Sequence, residues 1–164
     1  MRVLALLLLA VSCHAAEYNR SDYGRWIDAD KDCQNTRAEV LSNASESPVH
    51  GCVITSGTWV DPYTGEVFTD ASGLDIDHIV PLKVIHDRAG YAWTRERKRW
   101  AYNAEVNLTV SSARANRQKG AKGLSEWLPA IDQCTYANEY LMAAEVLGVP
   151  VTEAEFEVHE EVCE

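Results

Sequence analysis

A carboxylate next to an imidazole, followed later by an amide within a basic segment, is the part of this sequence that could do chemistry. Asp77 and His78 are adjacent in the apolar stretch 74–82, and Asn116 follows. Hydrolysis of a phosphodiester near neutral pH needs an activated water, a counter-charge for the phosphorane and stabilisation of the leaving oxygen. An imidazole supplies the first function and a divalent ion supplies the other two. The pattern therefore predicts metal-assisted attack on a phosphodiester.

The ligands of that ion are expected to be oxygen atoms. The Asp77 carboxylate and the Asn116 carbonyl are hard ligands, which suit Mg²⁺ or a similar ion that keeps several waters. In an ideal strand Asp77 and His78 would point to opposite faces, whereas Asp75 and Asp77 would share one. We therefore expect the strand to bend or end at His78, close to Pro81, and Asp75 only to support the strand.

Basic side chains flank the amide on the same predicted helix. Arg114, Arg117 and Lys119 are expected to bind phosphates on either side of the scissile bond. Residues 83–122 contain ten Lys or Arg and three Asp or Glu, although the whole chain has a formal net charge of −10. A basic segment in an acidic protein can steer phosphates locally, while the acidic faces weaken non-specific adhesion. The alternative for the run 95–99 is a solvated, charged helix.

The elements that must position these residues mix short strands with helices, which predicts an α+β fold. A β-hairpin is expected over 52–69, and its aromatic residues Trp59, Tyr63 and Phe68 are expected to pack in the core. The predicted elements around the site are a strand over 74–82, a short strand over 107–111, and a helix from the Ser112 cap to Gly120. Further helices are predicted over 33–42, 93–102, 131–147 and from the Thr152–Glu155 capping box onward.

The first sixteen residues have the composition of a secretory signal peptide. A basic start at Arg2, an apolar run over 4–11 and small residues at 15–16 support this interpretation, and the run is too short to span a bilayer. We expect one nuclease domain over 17–164, a secreted or periplasmic location, no membrane span and a monomer. A lipoprotein signal acylated at Cys13 is the less favoured alternative.

Four cysteines remain once the signal is removed: Cys33, Cys52, Cys134 and Cys163. An even number in an exported protein favours two disulfides over a metal site, and the sequence has no C-x-x-C pair that would indicate zinc. Three pairings are possible. We prefer Cys33 with Cys52 and Cys134 with Cys163, because each pair closes a local loop on one side of the site.

Three ordered motifs together resemble the HNH, or ββα-metal (His-Me finger), nucleases. They are Asp77-His78-Ile-Val-Pro-Leu, Asn107-Leu-Thr-Val and Asn116-Arg-Gln-Lys-Gly. The chain is more closely similar to the secreted HNH-family proteins related to the C-terminal domain of GmrSD-type restriction enzymes. This resemblance extends over roughly residues 20–163. It includes the segments Asp32-Cys-Gln-Asn-Thr-Arg37-Ala-Glu-Val-Leu, Gly57-Thr-Trp-x-Asp-Pro-Tyr-Thr-Gly65 and Lys119-Gly-x-x-x-x-x-Glu-Trp-Leu-Pro129. It implies a ββα-metal core to which the β-hairpin and flanking helices are added.

The resemblance also implies a role for each matching residue. His78 would be the general base that deprotonates water, Asp77 and Asn116 would bind a single metal ion, and Asn107 would orient His78 and brace the loop. An amide at the third position favours Mg²⁺ or Mn²⁺ over a softer metal. The zinc-binding cysteine pairs of many HNH proteins are missing from this sequence, so the disulfides would have to brace the fold. We interpret His86 as a loop residue, with an extra ligand or a second base as alternatives.

These observations predict an exported, metal-dependent endonuclease that cleaves DNA, with RNA as a further substrate. The resemblance to the family implies that cleavage leaves 5′-phosphate and 3′-hydroxyl ends. Low sequence preference is expected because the sequence offers no evident module for reading base edges. One alternative is a catalytically silent HNH-like domain that binds nucleic acid or a partner protein. The presence of Asp77, His78, Asn107 and Asn116 together argues against this alternative. The other alternative is a metalloenzyme that acts on another phosphodiester or on a wall polymer.

Overall fold

The computed structural model describes residues 17–164, which combine helices with two small antiparallel sheets. The elements, in chain order, are α1 (Thr36–Ala44), β1 (Ser56–Val60), β2 (Val67–Asp70), β3 (Leu74–His78), α2 (Leu82–Arg88), α3 (Arg95–Tyr102), β4 (Leu108–Ser112), α4 (Ala113–Lys119), α5 (Gln133–Leu147) and α6 (Glu153–Cys163). The predicted α+β class is confirmed. The signal peptide predicted over 1–16, with Cys13, lies outside the described residues. Within 17–164 no helix is both long and apolar enough to cross a membrane.

The predicted hairpin is formed by β1 and β2, which pair antiparallel with Trp59 opposite Phe68. Its reversal is held by Asp61, whose carboxylate accepts hydrogen bonds from the Tyr63 backbone N–H and the Thr64 hydroxyl. Trp59 is fully buried, and its indole N–H donates to a backbone carbonyl of α1. The hairpin is therefore anchored to the rest of the fold through this side chain.

The second sheet and the helix after it carry the predicted site. β3 and β4 pair antiparallel, with Asp77 opposite Thr109 and His78 opposite Leu108. Helix α4 follows β4 directly: the Ser112 hydroxyl caps its first turn, and its C-cap glycine has a φ of 57°. A non-glycine residue adopts such a φ only at a cost. Strand, strand and helix thus follow in the order that we expected around the site.

The strand predicted over 74–82 is shorter than expected, because β3 ends at His78. Helix α2, which we did not predict, begins at Leu82 immediately after Pro81. Proline suits a helix start since its φ is already close to helical and its missing N–H would have no partner there. The apolar run therefore contains a strand end and a buried helix start, which hydrophobicity alone does not separate.

Two apolar clusters meet at the site. The smaller one lies between α1 and the strands and contains Leu74 and Ile76 of β3. The larger one is built mainly from α2, α3 and α5 and contains Ile79 and Val80. The Asp-His pair lies between these segments of the chain. Packing on both sides therefore holds the end of β3 in one place.

Both predicted disulfides are present. Cys33 is bonded to Cys52 and Cys134 to Cys163, with sequence separations of 19 and 29. The first ties the segment that precedes α1 to the loop before β1, and the second ties α5 to α6. The preference for local pairing is confirmed.

Replacing either cysteine pair with serines should lower the free energy of unfolding by about 3–4 kcal/mol, because the open loop regains conformational entropy in the unfolded chain. Urea unfolding followed by circular dichroism measures this change. The Ser47→Ala variant, in the same loop as the first disulfide, serves as a control for local polar changes. A loss below about 1 kcal/mol for both pairs would contradict the bracing role.

Candidate active site

Asp77, His78 and Asn116 line one cleft of about 380 Å³. The first two side chains come from the end of β3, and the third comes from the middle of α4. Strict strand alternation would separate Asp77 from His78. The strand ends at His78, and both residues border the same cleft. The structure thus brings together the predicted base and both predicted metal ligands.

The His78 imidazole is almost completely buried and is held on two sides. Its Nε2 lies 2.9 Å from the Tyr102 carbonyl oxygen, and its ring stacks on Trp26 with a centroid distance of 5.6 Å and an interplanar angle of 9°. A carbonyl oxygen only accepts hydrogen bonds, so Nε2 carries the hydrogen in the neutral ring. Burial lowers the pKa of His78 to about 3. The imidazole is therefore neutral near pH 7, with Nδ1 as the nitrogen that can accept a proton.

Asn107 is fully buried and fastens the chain that follows the imidazole. Its side-chain oxygen accepts from the Val80 N–H at 2.7 Å, and its Nδ2 donates to the Val80 carbonyl at 3.1 Å. Its own carbonyl accepts from the Ile79 N–H at 2.9 Å. These three bonds lock the turn between β3 and α2. The contacts of this asparagine support the predicted bracing of the loop, with His78 held through the backbone.

The Asp77 carboxylate is buried beside two donors. Its Oδ2 accepts from the Tyr63 hydroxyl at 2.7 Å and pairs with the Lys119 ammonium at 2.8 Å. Burial raises the pKa of Asp77, and the lysine opposes that shift. Two donors aimed at one oxygen fit an ionised carboxylate.

Lys119 does not lie where we expected. The side chain is fully buried, and besides its ion pair with Asp77 it donates to the His78 carbonyl at 2.7 Å. The last turn of α4 packs against the end of β3, which directs this side chain inward. The expectation that Lys119 contacts phosphates is therefore wrong, because its side chain lies buried beneath the site.

The two predicted phosphate-binding arginines also differ from each other. Arg117 is exposed and lines the cleft. Arg114 is exposed and pairs with Glu66 of the hairpin at 2.6 Å. It is not among the residues that line the cleft. Of the three basic residues predicted on α4, Arg117 is thus the one whose exposed side chain borders the cleft that Asp77 and His78 line.

Asn116 is oriented by the carboxylate that we expected only to support the strand. Its Nδ2 donates to Asp75 Oδ2 at 3.1 Å. An ionised carboxylate only accepts hydrogen bonds, so the amide nitrogen must face Asp75. The amide oxygen is left as the atom that can bind a metal ion.

The donors in this cleft fit a small, hard cation. Asp77 offers a carboxylate and Asn116 an amide oxygen, and both border the same open space. Mg²⁺ in proteins is commonly held by one or two carboxylates while water and substrate phosphates fill the remaining positions. Mn²⁺ accepts the same oxygen ligands. Among residues 17–164, neither a thiolate nor a second imidazole lines this cleft, so these residues offer a soft metal no matching ligands there.

His86, interpreted from the sequence as a loop residue, belongs to α2 and is buried. Its ring packs edge-on against Tyr18 at 5.5 Å and Tyr23 at 6.3 Å between centroids. The loop interpretation is therefore wrong. Since His86 does not line the cleft, its placement indicates packing beside the site.

Sequence reasoning missed the partners of the site residues. Tyr63 was assigned to packing alone, yet its hydroxyl contacts Asp77; its place in Asp-Pro-Tyr-Thr-Gly, one of the segments similar to the family, was the available signal. Trp26 and Tyr102 had no such signal, since they reach His78 from distant parts of the chain. Arg20, which lines the cleft, also lies outside the three motifs.

The chain belongs to the family described as GmrSD restriction endonucleases, C-terminal domain, whose model matches residues 28–155. The predicted resemblance to this family is confirmed, and the match includes Asp77, His78, Asn107 and Asn116. The chain is also 34% identical over 144 residues to an uncharacterized secreted protein of Arthroderma benhamiae, an alignment that covers 84% of this chain and 70% of that protein. No solved structure shows significant similarity to the chain.

Proposed function

We propose that this protein is an exported, metal-dependent endonuclease of the HNH type. Its substrate is DNA, with RNA as a further substrate, and its sequence preference is low. The observation that carries the proposal is the meeting of Asp77, His78 and Asn116 on one cleft. Membership of a family of restriction-endonuclease domains supports a nuclease over other metal-dependent hydrolases.

His78 acts as the general base in this proposal. Its Nδ1 accepts the proton of the attacking water, while the Nε2 hydrogen stays bonded to the Tyr102 carbonyl. That bond selects the tautomer and favours the imidazolium that forms as the water is deprotonated. Trp26 and Asn107 keep the ring and the following turn in place, so little reorganisation accompanies the proton transfer.

Asp77 and Asn116 would hold the metal ion, which when bound supplies counter-charge to the phosphorane and stabilises the leaving oxygen. Each ligand has a neighbour that orients it. Tyr63 and Lys119 bind one oxygen of Asp77, and Asp75 binds the amide nitrogen of Asn116. Such neighbours commonly tune both the orientation and the affinity of a metal site.

Export is supported by two observations. Two disulfides are typical of proteins that fold in an oxidising compartment. The Arthroderma benhamiae relative is described as secreted. Together with the signal sequence predicted over 1–16, they favour action outside the cytosol.

A catalytically silent binding domain is the second candidate, and one contact favours it. The Lys119 ammonium already neutralises the Asp77 carboxylate at 2.8 Å, which weakens the attraction of this site for a cation. In that case the cleft would bind nucleic acid without cleaving it. The two candidates differ in whether the wild-type protein cuts a substrate when Mg²⁺ or Mn²⁺ is present.

Secreted protein purified from culture medium should convert supercoiled plasmid to nicked and linear forms with Mg²⁺. EDTA should stop the reaction and excess Mg²⁺ should restore it, because the metal that Asp77 and Asn116 would hold supplies counter-charge to the phosphorane and stabilises the leaving oxygen. Agarose gels follow the conversion, and ligation of the products tests for 5′-phosphate ends. Cleavage at the same rate in EDTA would contradict metal dependence. Binding without cleavage in both metals would support the silent domain.

A further inference from the structure

A second cleft, of about 600 Å³, adjoins the first around the C-terminal end of α4. The two clefts share four lining residues, which are Lys83, Arg117, Gly120 and Ala121. Arg20 borders only the first cleft and Lys122 borders only the second. Because they share a boundary, the two concavities form one continuous depression that starts at Asp77 and leads away from it.

We propose that this depression is the track for a nucleic-acid strand, in which Lys83, Arg117 and Lys122 bind phosphates on one side of the scissile bond and Arg20 binds a phosphate on the other. The inference rests on the proposed nuclease function and extends it to Arg20, Lys83 and Lys122, which lie outside the three motifs. Lys119, predicted from the sequence as a phosphate contact, borders the second cleft, but its ammonium is buried and paired with Asp77, so the proposal assigns it no phosphate. Arg114, also predicted as a phosphate contact, borders neither cleft.

The exposed charge along the depression favours a polyanion. Arg20, Lys83, Arg117 and Lys122 are all exposed. Lys83 pairs with Asp87, but both side chains are about half exposed, and an ion pair of that kind is weak enough for a phosphate to compete. Glu126 also lines the second cleft, where its carboxylate accepts from the Gly123 N–H. Cations therefore outnumber free carboxylates along the path.

Three of these cations surround the C-terminal end of α4. The C-terminal end of α4 presents backbone carbonyls, whose partial negative charge repels phosphate. Lys122 lies just past this end, and its ammonium donates to the Gln118 carbonyl at 3.0 Å. Arg117 and Lys83 face the same end from α4 and α2. The positive charges of Lys83, Arg117 and Lys122 thus offset the partial negative charge at this helix end and make the depression suitable for anions.

Another cleft of similar size shows the contrast. It measures about 550 Å³ and is bordered by four carboxylates, those of Asp30, Glu39, Glu96 and Glu105, and by a single arginine. A polyanion would be repelled there. The chain beyond residue 125 carries ten acids and no Lys or Arg. The basic depression is therefore the surface among residues 17–164 that is best suited to phosphates, and it opens from the candidate active site.

Binding in EDTA tests the track without cleavage. Fluorescence anisotropy with labelled single-stranded and double-stranded 20-mers should show several-fold weaker binding for Lys122→Gln, and the slope of log affinity against log salt should fall by about one. The double variant Lys83→Gln/Lys122→Gln should lower the slope by about two. Arg95→Gln is the matched control, since this arginine is exposed on α3 outside both clefts and loses the same charge.

Indistinguishable binding of Lys122→Gln and Arg95→Gln would overturn the track, and so would salt-independent binding of the wild type. Circular dichroism of each variant checks that the exposed substitution leaves the fold intact. Plasmid cleavage separates this result from the proposed function. If the wild type cuts plasmid but Lys122→Gln binds nucleic acid as tightly as the wild type, the proposed strand track is refuted and the nuclease function is not. If the variants weaken binding as expected but the wild type never cleaves, the nuclease function is refuted and the strand track is not.

Discussion

The His78→Ala variant should cleave plasmid roughly 10²–10⁴ times more slowly than the wild type at saturating Mg²⁺, which is the usual contribution of a positioned general base. The residue lies at the cleft with its Nε2 bonded to the Tyr102 carbonyl, so Nδ1 is the acceptor that the substitution removes. Loss of the imidazole leaves the metal ligands in place. The effect should therefore appear in the rate of the chemical step more than in substrate affinity.

Two further variants separate chemistry from folding. His78→Gln keeps a side chain that can donate to Tyr102 but cannot act as a base near neutral pH, and it should be as inactive as His78→Ala. His50→Ala, at an exposed histidine outside the cleft, should retain full activity. Single-turnover cleavage and thermal melting are measured for all three. Activity of His78→Gln within ten-fold of the wild type would rule out general-base catalysis by this residue.

The Lys119→Met variant should lose about 3–5 kcal/mol of unfolding free energy, because it leaves the Asp77 carboxylate buried without its ammonium partner. Both members of the pair are almost fully buried, with relative side-chain exposures of 0% and 6%. The substitution also removes a hydrogen bond to the His78 carbonyl. Urea unfolding measures the loss, and we expect cleavage to fall as well because Asp77 is no longer held in one orientation.

The matched control for Lys119→Met is Lys122→Met, at an exposed lysine three residues later, which should change stability by less than about 0.5 kcal/mol. The Asp77→Asn/Lys119→Met double variant removes both buried charges of this pair. It should recover much of the lost stability yet stay inactive, since the carboxylate ligand is gone. If Lys119→Met unfolds within about 1 kcal/mol of the wild type, the ion pair is not what stabilises the end of β3.

These two predictions concern adjacent residues whose side chains are held by different kinds of contact. His78 is held through neutral contacts, a carbonyl and a stacked indole, and its burial keeps the ring uncharged. Asp77 is held through charged and hydroxyl donors, which favour the anion. A base must be neutral to accept a proton and a metal ligand must be anionic. The opposite surroundings of two adjacent residues therefore suit their opposite roles.

Local features of the fold could be predicted from the sequence because their causes are local. The α4 boundaries follow from a Ser112 cap and a glycine stop, and α6 follows from the capping box of Thr152 and Glu155; the structure contains both. The disulfide pairing was predictable because both bonds close short loops. The unpredicted helix α2 shows the limit, since a continuous apolar run carries no periodicity that would reveal where a strand ends and a buried helix begins.

By itself the sequence determined which residues carry the candidate chemistry, their order, and the strand, strand and helix that present them, because motifs and caps depend on neighbouring positions. Only the tertiary structure decided how those residues are held. The bond from His78 to Tyr102 joins residues 24 apart, and those from Asn116 to Asp75 and from Lys119 to the His78 carbonyl join residues 41 apart. Such contacts depend on how helices pack against the strands, so a lysine expected on the surface became the buried partner of the candidate metal ligand.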